Sequence, residues 1–238
     1  MVYNQFFYCP DLSQAVVTLS QVESEHCCRA LRHKVGDEVL LTDGQGNIAN
    51  ATIMTDSPKA CMLEVTQVNA ANDKGVNKLH LAIAPTKNID RIEWLVEKCV
   101  EIGIESVSFI LCDNSERPRV NMDRLHRIAV SALKQSQTSW LPAMELVSFN
   151  DFLENHKEDV ADKYVAWCDD ENTQQLANET FQHQDIILLV GPEGDFSQQE
   201  IEAARNFGYK DIKLGNRRLR TETAGLYGCL LLAAKGLM

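Results

Sequence analysis

Ile186-Ile187-Leu188-Leu189-Val190-Gly191-Pro192-Glu193-Gly194-Asp195-Phe196-Ser197-Gln198-Gln199-Glu200 reads as a buried strand, a tight loop and the start of a helix. Five apolar residues in a row suit a strand covered on both faces. Ser197 and Glu200 have the spacing of a capping box, which sets where the helix begins. Gly191 and Gly194 leave backbone groups unshielded, so a ligand can approach closely. An ordinary strand-to-helix turn has the same outline, and Gly-x-x-Gly alone does not separate the two.

Upstream and downstream the same alternation repeats. Leu79 to Ala84 predicts a strand, and Asn88 to Ile102 a helix with Ile92, Leu95, Val96, Cys99 and Val100 at helical spacing. Gly103 suits its C-cap. Val107 to Cys112 predicts a strand, Asn121 to Gln137 a helix, and Tyr164 to Cys168 a strand. Gln198 to Phe207 predicts a helix closed by Gly208, Asp211 to Leu214 a short strand, and Thr223 to Lys235 a final helix. Strands alternating with helices predict an α/β domain built on a mainly parallel sheet.

The first seventy residues have a different rhythm. Ala15 to Leu19, Glu38 to Thr42 and Met62 to Thr66 predict short strands, with turns at Gly36-Asp37 and Asp43 to Asn47 and one short helix from Glu23 to Leu31. The polar stretch Ala70 to Gly75 reads as a linker. Two domains follow, 1–72 and 73–238.

Composition excludes several classes. Hydrophobic residues at 45% and charged residues at 24% are ordinary for a globular protein. No apolar run approaches the roughly 20 residues of a membrane helix, and the start Met1 to Gln5 lacks a secretory pattern, so a cytoplasmic protein is expected. The eight cysteines (Cys9, Cys27, Cys28, Cys61, Cys99, Cys112, Cys168, Cys229) form no C-x-x-C pair and read as buried free thiols. The six histidines show no ligand spacing either, so no metal site is expected.

The net charge of −11 argues against a nucleic-acid partner until its distribution is considered. Residues 149–185 hold ten acidic and two basic side chains, so −8 lies in that stretch. Arg117, Arg119, Arg124, Arg127 and Lys134 form one basic cluster, and Lys210, Lys213, Arg217, Arg218 and Arg220 another. Phosphate binding follows local potential, yet a basic run taken alone is usually just a solvated face.

In an open parallel sheet, ligands bind beyond the carboxyl ends of the strands. Besides the loop from Gly191, Leu214-Gly215-Asn216-Arg217-Arg218-Leu219-Arg220-Thr221-Glu222-Thr223-Ala224 lies at such an end. It gathers three arginines, an acid and two hydroxyls at a helix entrance, where a structural cap needs only one polar residue. No G-x-x-x-x-G-K-[ST] occurs, and no G-x-G-x-x-G follows a strand, which disfavours P-loop ATPases and Rossmann dehydrogenases.

The two loops in this order resemble the signature of the RsmE family of the SPOUT superfamily, the 16S rRNA uracil-N3 methyltransferases. Lys87 to Gly103 is similar to that family's first helix, and Gln135-Ser136 with Leu141-Pro142 to its E-Q-S/C…I/V-P segment. His26, Leu31-Arg32, Gly36-Asp37 and Asp43-Gly44 match its first-domain pattern. The resemblance implies a PUA-like β-barrel for RNA contact, followed by a trefoil-knotted SPOUT methyltransferase domain that works as a homodimer on the small ribosomal subunit. It implies S-adenosyl-L-methionine held by Leu189, Val190, Gly191, Pro192, Glu193, Gly194, Leu214, Gly215, Asn216, Leu219, Thr221, Thr223 and Ala224. RNA contacts are implied for Arg29, Arg32, Lys87, Arg91, Gln135, Arg217 and Arg218.

Three segments depart from the family pattern: in the first, Lys134 replaces the acid of E-Q-S and Gln137 to Trp140 lack its arginine; in the second, Asp195 replaces the last glycine of G-P-E-G-G; in the third, no arginine precedes Pro10. N3 methylation needs a ring proton removed and charge on the uracil oxygens stabilised, chiefly by placement. Arg220 is the candidate for that charge, and Glu222 either orients Arg220 or assists proton removal. A SPOUT enzyme acting on another RNA, and a non-catalytic RNA-binding relative, are the competing readings.

Overall fold

The computed structural model describes residues 6–70, 78–167 and 174–235. Cys168, most of the expected linker and the last three residues lie outside them. The chain forms two compact units, residues 1–74 with 130–141, and residues 75–129 with 142–238.

In the first unit β1 (Phe6–Tyr8), β2 (Val16–Thr18), β3 (Glu38–Thr42), β4 (Asn47–Thr55) and β5 (Met62–Ala70) make one sheet in the order β1-β3-β4-β5-β2. Only β1 and β3 run parallel. Register shifts between β4 and β5, at Asn50/Ala51 and Ile53/Thr55, bend the ribbon around Phe7, Leu41, Ile53 and Leu63. The expected helix is α1 (Gln21–Glu25), continued by a π-helical turn over His26–Ala30. At Gly46 (φ 94°) an added Cβ would lie 2.1 Å from Trp140, so only glycine lets the β3–β4 turn close on residues 139–141. Gly46 N–H donates to Ser139 there at 2.8 Å.

In the second unit β6 (Lys78–Ile83), β7 (Ser106–Leu111), β8 (Ala143–Ser148), β9 (Asp162–Ala166), β10 (Asp185–Val190) and β11 (Lys210–Ile212) form an all-parallel sheet, ordered β11-β9-β10-β6-β7-β8. Helices cover both faces, as a sheet of apolar strands requires. On one side α2 (Ile89–Ile102) and α6 (Thr221–Ala234) pack together. Cβ atoms added at Gly225 and Gly228 of α6 would strike Ile83 at 2.7 Å and Leu188 at 2.4 Å, so the helix backbone lies directly on β6 and β10. On the other side α4 (Phe149–Asn155) and α5 (Gln198–Asn206) cover Ala82, Ile110, Ile187 and Leu189. α3 (Met122–Ser136) links the two units in sequence.

Gly103 ends α2 at φ 76°, and Gly208 follows α5 at φ 85°, as the sequence led us to expect. β1, β4, β8 and α4 were not anticipated.

The expectation of scattered, unclustered ligand residues is corrected by the fold. The π-helical turn brings Cys27 and Cys28 together with Cys61, which precedes β5, their sulfurs all within 4.8 Å of one another. Sequence spacing misses this because Cys61 arrives from 33 residues away. His80, Glu145 and His156 form a second cluster within the same distance. Cys9, Cys99, Cys112 and Cys229 are buried free thiols, as are Cys27 and Cys61, with Cys28 half-buried.

Candidate active site

From β6 the chain moves outward through β7 and β8, then crosses to build β9, β10 and β11 on the other side. β6 and β10 are therefore neighbours at a switch point, where connections leaving in opposite directions open a crevice at the carboxyl ends. Their last residues, Ile83 and Val190, are register partners, and Ala84 N–H still donates to Val190 O at 3.0 Å.

The β10 loop is held rigidly. Ser197 caps α5 in the expected capping box, its Oγ accepting from Glu200 N while Glu200 Oε2 accepts from Ser197 N at 2.8 Å. Glu200 Oε1 also accepts from Asp113 N at 2.9 Å, and Ser197 Oγ donates to Asp113 at 2.7 Å. Asn114 donates to the carbonyls of Gly194 and Asp195. The departure at Asp195 is accommodated: φ is 64°, a region Asp tolerates, and its Oδ1 accepts from Phe196 N at 2.9 Å. Leu189, Val190, Gly191 and Pro192 are buried, Glu193 half-buried and Gly194 exposed.

Glu193 reaches across the crevice, where its Oε1 accepts from Lys87 N at 3.0 Å. Arg117 fixes the β6 loop from behind, donating to the carbonyls of Thr86 and Lys87. One member of the first basic cluster is thus structural, and Arg124 pairs with Glu93. Neither Thr86, Asn114 nor Arg117 was expected at the site. Only long-range hydrogen bonds identify them.

The second loop runs from the sheet edge back to the centre. Gln175 bridges to Lys213 and its amide donates to Asn216 at 3.4 Å. Leu214 and Leu219 are half-buried, and Gly215, Asn216, Arg217 and Arg218 exposed. Arg220 is the exposed N-cap residue of α6, with φ −75° and ψ 156° and no side-chain cap bond. Thr221 and Glu222 are buried, Thr223 exposed and Ala224 half-buried. Glu222 Oε1 stands 3.8 Å from Arg91 Nε in the first turn of α2. The cation beside Glu222 is therefore Arg91.

Two carboxylate oxygens, Glu193 Oε2 and Glu222 Oε2, are buried with no hydrogen-bond partner. Glu193 touches the β6–α2 connection at Lys87 and Glu222 the first turn of α2 at Arg91. Buried acceptors normally have donors, so this crevice suits a ligand carrying positive charge and hydrogen-bond donors.

The expected RNA residues divide between the units. Lys87, paired with Glu116 at 2.7 Å, lies in the second unit with Arg91, Arg217 and Arg218. Arg29, Arg32 and Gln135 are exposed on the first. Lys134, the departure beside Gln135, is internal to that unit. Its ammonium meets buried Glu23 at 2.5 Å, and Glu23 Oε2 also accepts from Tyr8 N.

The pattern of the family described as the RNA methyltransferase domain matches residues 73–233, and that of the RNA methyltransferase PUA domain matches residues 22–65. Among curated relatives, ribosomal RNA small subunit methyltransferase E of Synechocystis is 28% identical, over 94% of this chain and 75% of its own length. The Buchnera aphidicola (Acyrthosiphon pisum) protein of that name is 25% identical, over 94% and 85%. Among solved structures, a chain of Porphyromonas gingivalis assigned as an rRNA methyltransferase is 38% identical, covers 97% of each chain and superposes with TM-score 0.87. A methyltransferase of Legionella pneumophila, solved with bound SAM, is 25% identical, with 98% of each chain covered and TM-score 0.85.

Proposed function

This chain belongs to the RNA methyltransferase family, and from that premise we propose that it transfers a methyl group from S-adenosyl-L-methionine to N3 of a uridine in 16S rRNA. The observation that carries the cofactor assignment is the buried, unpartnered carboxylate oxygen Glu193 Oε2 at the switch-point crevice. S-adenosylmethionine bears a sulfonium, an ammonium and ribose hydroxyls, so its charge and donors fit this acceptor. The Gly191–Gly194 loop and the Leu214–Ala224 loop supply backbone groups, with Gly215 open to approach, no atom lying within 4 Å of an added Cβ. The small-subunit substrate is supported by the shared name of the curated relatives.

When bound, S-adenosylmethionine supplies an electrophilic methyl group. The protein must place the uracil and manage its proton. Arg220, exposed at the N-terminus of α6, stabilises the negative charge that develops on the uracil oxygens as N3 loses its proton. Glu222, with one oxygen free and the other beside Arg91, accepts that proton. The base must leave its stack to reach the crevice. Arg217 and Arg218 on the second loop, with Lys87, contact phosphates, and Arg29, Arg32 and Gln135 of the PUA unit hold the flanking RNA.

We further assign a homodimer with the trefoil-knotted SPOUT arrangement. Tyr227 and Leu230 on α6 and Trp94 on α2 are 41%, 44% and 42% exposed, an apolar set on two packed helices that a second copy would cover. No described helix is long and apolar enough to cross a membrane.

Calorimetry with S-adenosylmethionine tests the cofactor assignment. One site per chain is expected, weakened by Glu193→Gln. An absence of binding would return the chain to a non-catalytic RNA-binding role.

A further inference from the structure

The side of the parallel sheet under α4 carries a polar stripe that methyl transfer does not use. His80, Ser108 and Glu145 are each the third residue of their strands, β6, β7 and β8. His80 Nε2 lies 2.7 Å from Ser108 Oγ, which donates to Glu145 Oε1 at 2.6 Å. The turn after α4 adds His156, whose ring stands edge-on to that of His80 with centroids 4.8 Å apart. Glu145 is exposed on the edge strand, but His80 and His156 are half-buried, and packing alone gives the sheet face beside Phe152 no reason to hold two imidazoles.

His156 is already oriented. Its Nδ1 is 2.7 Å from Asp159 Oδ2, so Nδ1–H donates to the carboxylate and Nε2 keeps its lone pair. Metal-ligating histidines are typically held this way, the outer carboxylate fixing the tautomer. An adjoining cavity of about 310 Å³ is lined by His80, Lys78, Glu105, Asp159 and Asp185 among others. Three carboxylates against one ammonium give that entrance a field favouring cations.

We propose that His80, Glu145 and His156 bind a divalent cation of the zinc class. Two imidazole nitrogens and one carboxylate oxygen are a borderline donor set that suits Zn²⁺, whereas Mg²⁺ and Ca²⁺ prefer all-oxygen sites. The ligand atoms now lie within 4.8 Å of one another, and bonds of roughly 2.1 Å would draw them to about 3.4 Å. Rotation of the Glu145 and His156 side chains supplies that movement, with Ser108 giving up a partner. Lys163 grips the same turn through the carbonyls of His156 and Lys157. The ion sits at the amino-terminal half of the strands, away from the Gly191–Gly194 loop, and clamps the α4–β9 turn to β6, β7 and β8. It takes no part in methyl transfer.

The test uses the full chain stripped with EDTA, titrated with Zn²⁺ by calorimetry and with Co²⁺ by absorbance. One ion per chain is expected, a rise in thermal midpoint, and a Co²⁺ spectrum without a thiolate charge-transfer band. His156→Gln and Glu145→Gln should each weaken binding at least tenfold. Asp159→Asn, at an exposed position that folding tolerates, should weaken it about 10–100-fold. Cys28→Ser should leave it unchanged. Failure to bind Zn²⁺ at micromolar concentration overturns the proposal. So does binding that survives Asp159→Asn and is lost in Cys28→Ser, which would move the ion to the Cys27–Cys28–Cys61 trio.

Discussion

Replacing Glu222 by Gln keeps the shape of a buried side chain, 6% exposed, and removes its charge. At 3.8 Å from Arg91 and an effective dielectric of about 20, the lost attraction is about 4 kcal/mol. Two effects reduce it. The Arg91 side chain is 34% exposed, so water screens the pair. The carboxylate also carries a desolvation cost of several kcal/mol that the amide largely avoids. The net change in stability should therefore stay within about 1 kcal/mol, a shift of about 4 °C or less in Tm for a chain of this size. Turnover should behave otherwise: if Glu222 accepts the N3 proton, its rate should fall about 10²–10⁴-fold. Arg91→Ala should invert the stability result, because it leaves a buried carboxylate without its cation and costs about 2 kcal/mol. Differential scanning calorimetry and single-turnover methylation of small subunits read both quantities. A Glu222→Gln protein with normal single-turnover rate and a Tm lowered by 8 °C or more would show that Glu222 is structural.

Arg220→Ala should lower single-turnover rate about 10²–10³-fold with little change in cofactor affinity, whereas Arg217→Ala and Arg218→Ala should weaken RNA binding and flatten its salt dependence by about one unit of slope each. A normal Arg220→Ala rate on saturating subunits would remove that residue from the chemistry. Lys134→Met strands buried Glu23 and should cost about 3 kcal/mol, seen as a lower Tm that Glu23→Gln in the same chain partly restores. Burial, reinforced by neighbouring thiols, raises Cys27 well above its ordinary value of 9.0 and pushes Cys61 up to about 11. The unfolded chain then releases these protons first, so denaturant stability should decline from about pH 9 toward 11; Cys27→Ala combined with Cys61→Ala should flatten the decline. Leu230→Asp should shift the protein to monomer by light scattering, and an unchanged mass would move the interface elsewhere.

The parallel sheet was legible because its strands are continuous apolar runs and its helices carry glycine stops, at Gly103 and Gly208. β4 was missed because alanine supplies two of its three buried residues, Ala49 and Ala51 beside Ile53, and gives little periodic signal. The capping box at Ser197 could be read locally, as could the outlines of the two candidate loops, since each lies in continuous sequence. Arg117 could not, because its role depends on carbonyls thirty residues upstream. Lys134 looked like a lost RNA contact, and its partner Glu23 stands 111 residues away. The thiol and histidine clusters escaped for the same reason: spacing motifs detect ligands from one turn or hairpin, not from separate strands.

Nucleoside mapping tests the central claim most directly. Small ribosomal subunits from a strain lacking this gene are incubated with the purified protein and S-adenosylmethionine carrying a labelled methyl group, and the 16S rRNA is digested and analysed by mass spectrometry. The account predicts label in N3-methyluridine, at one position per subunit, and none with Arg220→Ala at the same time point. Label on another base or another atom, or transfer to a different RNA, would contradict it.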